Sequence, residues 1–194
     1  MTPRPVRVVE HRFEWRDDFR AIAGRLRAAL GDVVLRIDHV GSTAVPGLAA
    51  KDVIDVQVTV RDLDHPELMP AIASAGFRVR PDITGDHVPP WAEPAAGRWK
   101  KRYADDGGAG RRTHVHVRED GCPNQRYALL IRDYLRANDA AAAAYERIKR
   151  TLAGAFPDDS GAYAEAKEPV CDLIMLAAQE WECRTGWVPG QPDA

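Results

Sequence analysis

The chain has 194 residues, 45% hydrophobic and 29% charged, with a formal net charge of −2. This fits one globular domain spanning 1–194 with a core of its own. It provides no global basic field for nucleic acid, and no apolar run approaches membrane-spanning length. The opening MTPRPVRVVEHRFEW lacks the continuous apolar centre of a signal peptide. Cys122, Cys171 and Cys183 form no CxxC pair and read as small, partly buried apolar side chains in a reducing compartment. A cytoplasmic protein is expected, with neither nucleic acid nor a membrane as partner.

In chain order, Trp15, Phe19, Ile22, Leu26 and Leu30 recur every three or four residues, so 14–30 is expected to be an amphipathic helix stopped by Gly31. VVLRIDHV (33–40) and DVIDVQVTV (52–60) read as strands. In the second, Ile54, Val56, Val58 and Val60 take one face, and Val53, Asp55, Gln57 and Thr59 the other. ELMPAIASAG (67–76) predicts a short helix ended by Gly76, then a strand from Phe77 to Arg80. The proline-rich stretch 81–97 is a loop long enough to suspect function. RWKKRYA (98–104) and RRTHVHVRE (111–119) form a hairpin around DDGGAG.

Beyond Asn124 the pattern turns helical. YALLIRDYLRAN (127–138) is one helix, and Asp139 is expected to cap a second over 140–153. Pro169 suits the first turn of a last helix, and the tail after Trp187 is expected to be loose. A sheet-rich 1–120 followed by a helical 124–184 makes the class α+β, a mixed α/β arrangement with a mixed sheet flanked by helices.

The main functional clue lies in HVGSTAVPGLAAKDVIDVQV (39–58). A Gly-Ser turn lets backbone approach a phosphate, aims N–H groups at the anion and adds a hydroxyl. Gly41, Ser42 and Thr43 are therefore candidate phosphate-binding residues. Asp55, on the next strand, could hold a divalent ion against the same phosphates. The alternative is a plain connecting loop followed by a strand acid. The stretch matches neither GxGxxG nor GxxxxGK[ST].

HVGSTAVPGLAAKDVIDV resembles the signature of the GrpB family, a branch of the nucleotidyltransferase superfamily. FEWRDDF, HVHV, RDYLRAND, YERIKRTLA and YAEAKEPV follow in that family's order. The resemblance implies a nucleotidyltransferase-like sheet and a Gly-Ser turn followed by metal-binding acids. Gly41, Ser42 and Asp55 match that pattern. Gln57 stands where the superfamily carries its second carboxylate, and a neutral amide is a poor Mg²⁺ ligand. His114 and His116 share one face of the HVHV strand. If that strand lies beside the Asp55 strand, as in the superfamily, they would join Asp55 in a catalytic set holding a divalent metal (Mg²⁺, Mn²⁺ or Zn²⁺), the mixed ligands suiting Zn²⁺, Mn²⁺ or Fe²⁺ better than Mg²⁺. A neutral imidazole could instead act as general base, and His39 could come near. The plain alternative is two polar residues on a half-exposed strand.

Lys51 and Arg112 are the basic residues best placed for phosphate. Arg98, Lys100, Arg102 and Arg111 read as solvated hairpin charges, and Trp99 and Tyr103 as packing aromatics. Tyr145, Ile148 and Leu152 are expected to pack. Lys149 and Lys167 resemble family positions without an assigned role, and His11, His65 and His87 are read as structural. The resemblance thus implies a nucleotide- or phosphate-binding protein, with metal-dependent nucleotidyl transfer to an unidentified acceptor as one reading. The other is a non-catalytic accessory domain, since the family also occurs as a C-terminal extension of dephospho-CoA kinases. Metal-dependent hydrolysis at an Asp-His-His site is a third.

Overall fold

The structure is a computed structural model describing residues 5–92, 97–108 and 110–194. The end of the expected loop (93–96) and Ala109 of the glycine-rich turn lie outside the described residues. In chain order the elements are β1 (Val8–Val9), α1 (Glu14–Leu30), β2 (Val34–Val40), β3 (Ala50–Lys51), β4 (Ile54–Val60), α2 (Leu68–Ser74), β5 (Arg78–Val79), β6 (Arg102–Asp105), β7 (Thr113–Glu119), α3 (Pro123–Ala137), α4 (Asp139–Ala155) and α5 (Ser160–Thr185).

The main sheet has the order β2-β4-β7-β6-β5. Its β4–β7 pair is parallel and its other pairs antiparallel, so the mixed α+β class is the observed one. Val56, Val58, Val115 and Val117 point to one side. There they are fully buried with Phe19, Leu26, Leu68 and Ile72 of α1 and α2. Each such side chain taken from water contributes about 1.5–3 kcal/mol, so this layer carries most of the stabilisation.

The other side of the sheet lies under the C-terminal helices. Gln57 and Thr59 are polar yet fully buried there. The side-chain amide of Gln57 donates to the carbonyl of Gln125 on α3 (3.1 Å) and its Oε1 accepts from Arg118 (2.6 Å). Asp38 is also fully buried and takes a bidentate Arg36, both contacts at 2.7 Å. Buried polar groups are ordinarily hydrogen-bonded, and Gln57 and Asp38 are, whereas the Thr59 hydroxyl finds no partner among the described residues.

Several elements differ from expectation for identifiable reasons. α3 starts at Pro123, in the first turn, where proline's missing N–H costs nothing. Asn138, not Asp139, holds the cap position of α4, and it makes no side-chain cap bond. The last helix begins nine residues before Pro169. Asp159 accepts from the amides of Gly161 and Ala162, and that cap outweighs an internal proline. Ile148 is 37% exposed and does not pack as expected. The tail is tied down. The Ala194 amide donates to Ile37 O (3.2 Å), and Asp193 accepts from the His39 amide (3.0 Å) and from Arg132 (2.7 Å). Since β2 is an edge strand, this tail occupies edge groups that would otherwise be unpaired.

Candidate functional site

The parallel register of β4 and β7 places Asp55 opposite His114 and Gln57 opposite His116. All face the helical side of the sheet. Asp55 Oδ1 lies 3.1 Å from His114 Nδ1 and 3.6 Å from His116 Nε2. One ligand atom from each of the three residues lies within 4.8 Å of the others. Tyr103 of β6, opposite His116, packs against both imidazoles with centroids at 5.7 Å and 5.3 Å. Gly41 has φ 71°, and a Cβ there would sit 2.5 Å from Asp55 Oδ2. The glycine before Ser42 is therefore required twice, by its left-handed backbone and by the carboxylate against it.

Burial pushes the Asp55 carboxyl up, but hydrogen bonding and charge from His114 and His116 outweigh it and hold it well below the ordinary range. Burial likewise lowers the His116 imidazole to about 4, over the opposing pull of Asp55, so it is neutral at pH 7. Its Nδ1 is buried and has no hydrogen-bond partner among the described residues.

These groups line a cavity of about 410 Å³ between the sheet and α3, α4 and α5. Lys51, Lys149 and Lys167 line it too, with Tyr145 and Tyr163. Lys149 donates to the carbonyl of Ala49 and lies 4.8 Å from the Tyr145 ring centroid. Lys51 Nζ lies 4.6 Å from that of Tyr163. Burial, then the neighbouring Lys167, lowers Lys51 to about 8 and Lys149 to about 7. Three lysines against a single lining carboxylate, Asp55, leave the hollow with an excess of positive charge, which fits an anionic ligand.

Gly41, Ser42, Thr43, Lys51, Asp55, His114 and His116 all line this cavity. Arg112 does not line it. Its charge reaches Lys51, and its carbonyl accepts from the Ile54 amide. The Thr43 hydroxyl is committed to Val53 O (3.0 Å) and to His39 Nε2 (3.0 Å). His39 faces the opposite side of the sheet, stacked on Phe19 at 4.8 Å, and does not join the histidine pair. Arg111 binds Asp18 and Asp52, and Arg102 binds Asp64. In the expected loop, Asp86 binds Arg118 (2.8 Å) and Lys101 (2.7 Å), anchoring that segment to the sheet.

Lys149 and Lys167 had no role by sequence reasoning. A signal existed: each follows a tyrosine by four residues, Tyr145–Lys149 and Tyr163–Lys167, one helical turn that puts ring and ammonium on one face.

One carboxylate and two imidazoles fit a single Zn²⁺ or Mn²⁺ ion. They do not fit a pair of Mg²⁺ ions, because Gln57 has both ends of its amide engaged and supplies no second acid.

The family described as GrpB protein matches residues 5–176. A dephospho-CoA kinase of Mycolicibacterium paratuberculosis is 40% identical over 198 residues, covering 95% of this chain and 49% of that protein. A UPF0157 protein of Streptomyces coelicolor is 34% identical over 165 residues, covering 84% of this chain and 79% of that one. The chain spans 49% and 46% of the first two curated relatives, both dephospho-CoA kinases. The crystal structure of conserved protein GrpB from Enterococcus faecalis superposes with a TM-score of 0.75 at 30% identity, covering 91% of this chain and 100% of that one. With a family match running from near one end of the described chain through most of α5, and a solved relative sharing its architecture, the chain belongs to the GrpB family.

Proposed function

We propose that the cavity binds a nucleoside triphosphate with one divalent transition-metal ion, and that its chemistry is nucleotidyl transfer. The observation that carries this reading is the pairing, in one hollow, of the Asp55–His114–His116 set with the Lys51–Lys149–Lys167 set. A metal-bound polyphosphate carries the charge to engage both sets.

In this reading Asp55, His114 and His116 hold the ion, which when bound polarises a phosphoryl oxygen and neutralises charge on it. Asp55 is ionised across the physiological range and His116 is neutral, the protonation states that ligation requires. Tyr103 fixes both imidazole planes. Lys149 and Lys167 offset charge on the distal phosphates, and the Ser42 hydroxyl with its turn donates to a phosphate oxygen. The C-terminal helices cover this side of the sheet in part, which strengthens each of these interactions relative to open water.

The test is thermal stability with ATP, GTP or CTP, each with Mn²⁺, Zn²⁺ or Mg²⁺. Ligand at a hundredfold excess over its dissociation constant adds about 2.7 kcal/mol. For a chain of this size that raises the melting temperature by roughly 5–10 °C. Stabilisation by nucleotide with Mn²⁺ or Zn²⁺, lost in Asp55→Ala, is expected. Absence of any shift sinks the reading.

A second reading has its own support. The chain matches about half of relatives named dephospho-CoA kinase, so a non-catalytic accessory role toward such a kinase is a reading from another class. Co-purification with a dephospho-CoA kinase, unaffected by Asp55→Ala, would favour it over the nucleotide reading.

A further inference from the structure

Three lysines share the cavity, but their surroundings differ. Lys149 is committed to the carbonyl of Ala49. Lys167 is held above its ordinary value, Tyr145 contributing most, and stays charged. Lys51 stands apart. It lines the cavity on β3, its Nζ rests over the Tyr163 ring at 4.6 Å, and among the described residues no carboxylate or carbonyl takes a hydrogen bond from it. Its neighbours in charge are Lys167 and Arg112, both repulsive, with Asp55 the nearest anion to act on it. An amine desolvated beside other cations is the standard way to make lysine a nucleophile at neutral pH. The fall of Lys51 to about 8 agrees with that setting.

We propose that Lys51 is itself a nucleotidyl acceptor: its neutral amine attacks the α-phosphorus of a nucleoside triphosphate held in the cavity. A P–N bond forms between Nζ and the α-phosphorus, and the bond from that phosphorus to the bridging oxygen of the β-phosphate breaks. Pyrophosphate leaves with the electron pair and one proton passes from the amine to solvent. The product is a lysyl phosphoramidate of a nucleoside monophosphate, with no oxidant or further reactant required. The Asp55–His114–His116 set lies in the same hollow, so a bound ion and the amine can act on one ligand. This rests on the nucleotide reading above and supplies the acceptor that reading lacks.

The experiment incubates the full chain with ATP, GTP or CTP and Mn²⁺ or Zn²⁺, then measures intact mass and maps modified peptides. Expected is a gain of one nucleoside monophosphate residue on the peptide carrying Lys51, labile in acid and stable in base as a P–N bond is. Lys51→Arg, which keeps the charge and loses the nucleophile, removes it, and a melting curve of that variant reports whether it folds. Should it not fold, the site mapped on the wild-type chain decides. Nucleotide-dependent stabilisation of the wild type without any adduct, or an adduct elsewhere, overturns the proposal and leaves nucleotide binding standing. No stabilisation and no adduct overturns both.

Discussion

The two faces of the central sheet are built from the same strands and obey opposite rules. Toward α1 and α2, β4 and β7 present Ile54, Val56, Val58, Val115 and Val117, each buried to completion among aliphatic and aromatic neighbours. Toward α3–α5 the same strands present Asp55, Gln57, His114, His116 and Arg118, also sheltered but polar or charged. The first face gains free energy with every side chain it hides. The second needs a hydrogen bond for each group merely to break even, and His116 Nδ1 and Thr59 Oγ1 go without one. A sheet that needed only stability would have used valine on both sides. The cost is concentrated on the face that carries the proposed site.

The comparison is broken most severely from the apolar side. Val56→Asp puts an unpaired carboxylate among Phe19, Leu26 and Ile72, a change expected to cost more than about 4 kcal/mol and to abolish the folded state at 37 °C, read by circular dichroism. The milder Leu26→Ala should cost about 2–5 kcal/mol in urea denaturation and leave metal affinity unchanged. Loss of metal affinity in a folded Leu26→Ala would show that the two faces are not independent.

Next comes the seam between backbone and site. Gly41→Ala must adopt φ 71° with its Cβ against Asp55 Oδ2, and is expected to lose about 1–3 kcal/mol. It should also displace the carboxylate and weaken metal binding, measured by calorimetric titration with Zn²⁺. Gly24, with nothing within 4 Å of its would-be Cβ, is the control. In the middle of α1, its alanine variant should be more stable than wild type by up to about 1 kcal/mol.

How far these features could be read in the sequence follows from where each signal resides. The apolar period of residues 14–30 and the alternation of Ile54, Val56, Val58 and Val60 are local, so α1 and β4 emerge within two residues of expectation. The convergence of Asp55 with His114 and His116 depends on a parallel pairing across 59 residues of chain, which composition does not encode and the family resemblance implied. Lys149 and Lys167 were the hardest. They come from helices whose polar residues ordinarily face solvent, and only docking against the sheet turns them inward. Pro169 misled because local punctuation is a weaker force than a well-placed Asp159 cap and the packing of a long helix.

Smaller in stability, though decisive for chemistry, is removal of the ligands. Asp55→Asn and His114→Ala should each abolish Zn²⁺ found by elemental analysis, yet shift stability of the metal-free protein by less than about 1 kcal/mol. The His114 and Asp55 side chains are 29% and 27% exposed, and an ion pair open to solvent contributes little to stability. A loss of several kcal/mol in the metal-free protein would mean that the polar face stabilises the fold, and the contrast between faces would fail.

The smallest effect at neutral pH is also the finest test, because each face carries one sheltered histidine. Burial lowers His39 to about 3 on the apolar face and His116 to about 4 on the polar face, both from 6.5. Above pH 6.5 each is neutral whether folded or unfolded and contributes no pH dependence. Below it the unfolded chain takes up the proton first, so stability falls as pH drops from 6.5 to about 4 for His116 and to about 3 for His39. Each accounts for about 1.4 kcal/mol per pH unit within its window. His39→Phe, which can keep the stack on Phe19, should reduce the slope between pH 6 and 4.5 by close to one proton, with or without Zn²⁺. A His39→Phe effect on the slope that appeared only with Zn²⁺ bound would place the ion on the wrong face of the sheet.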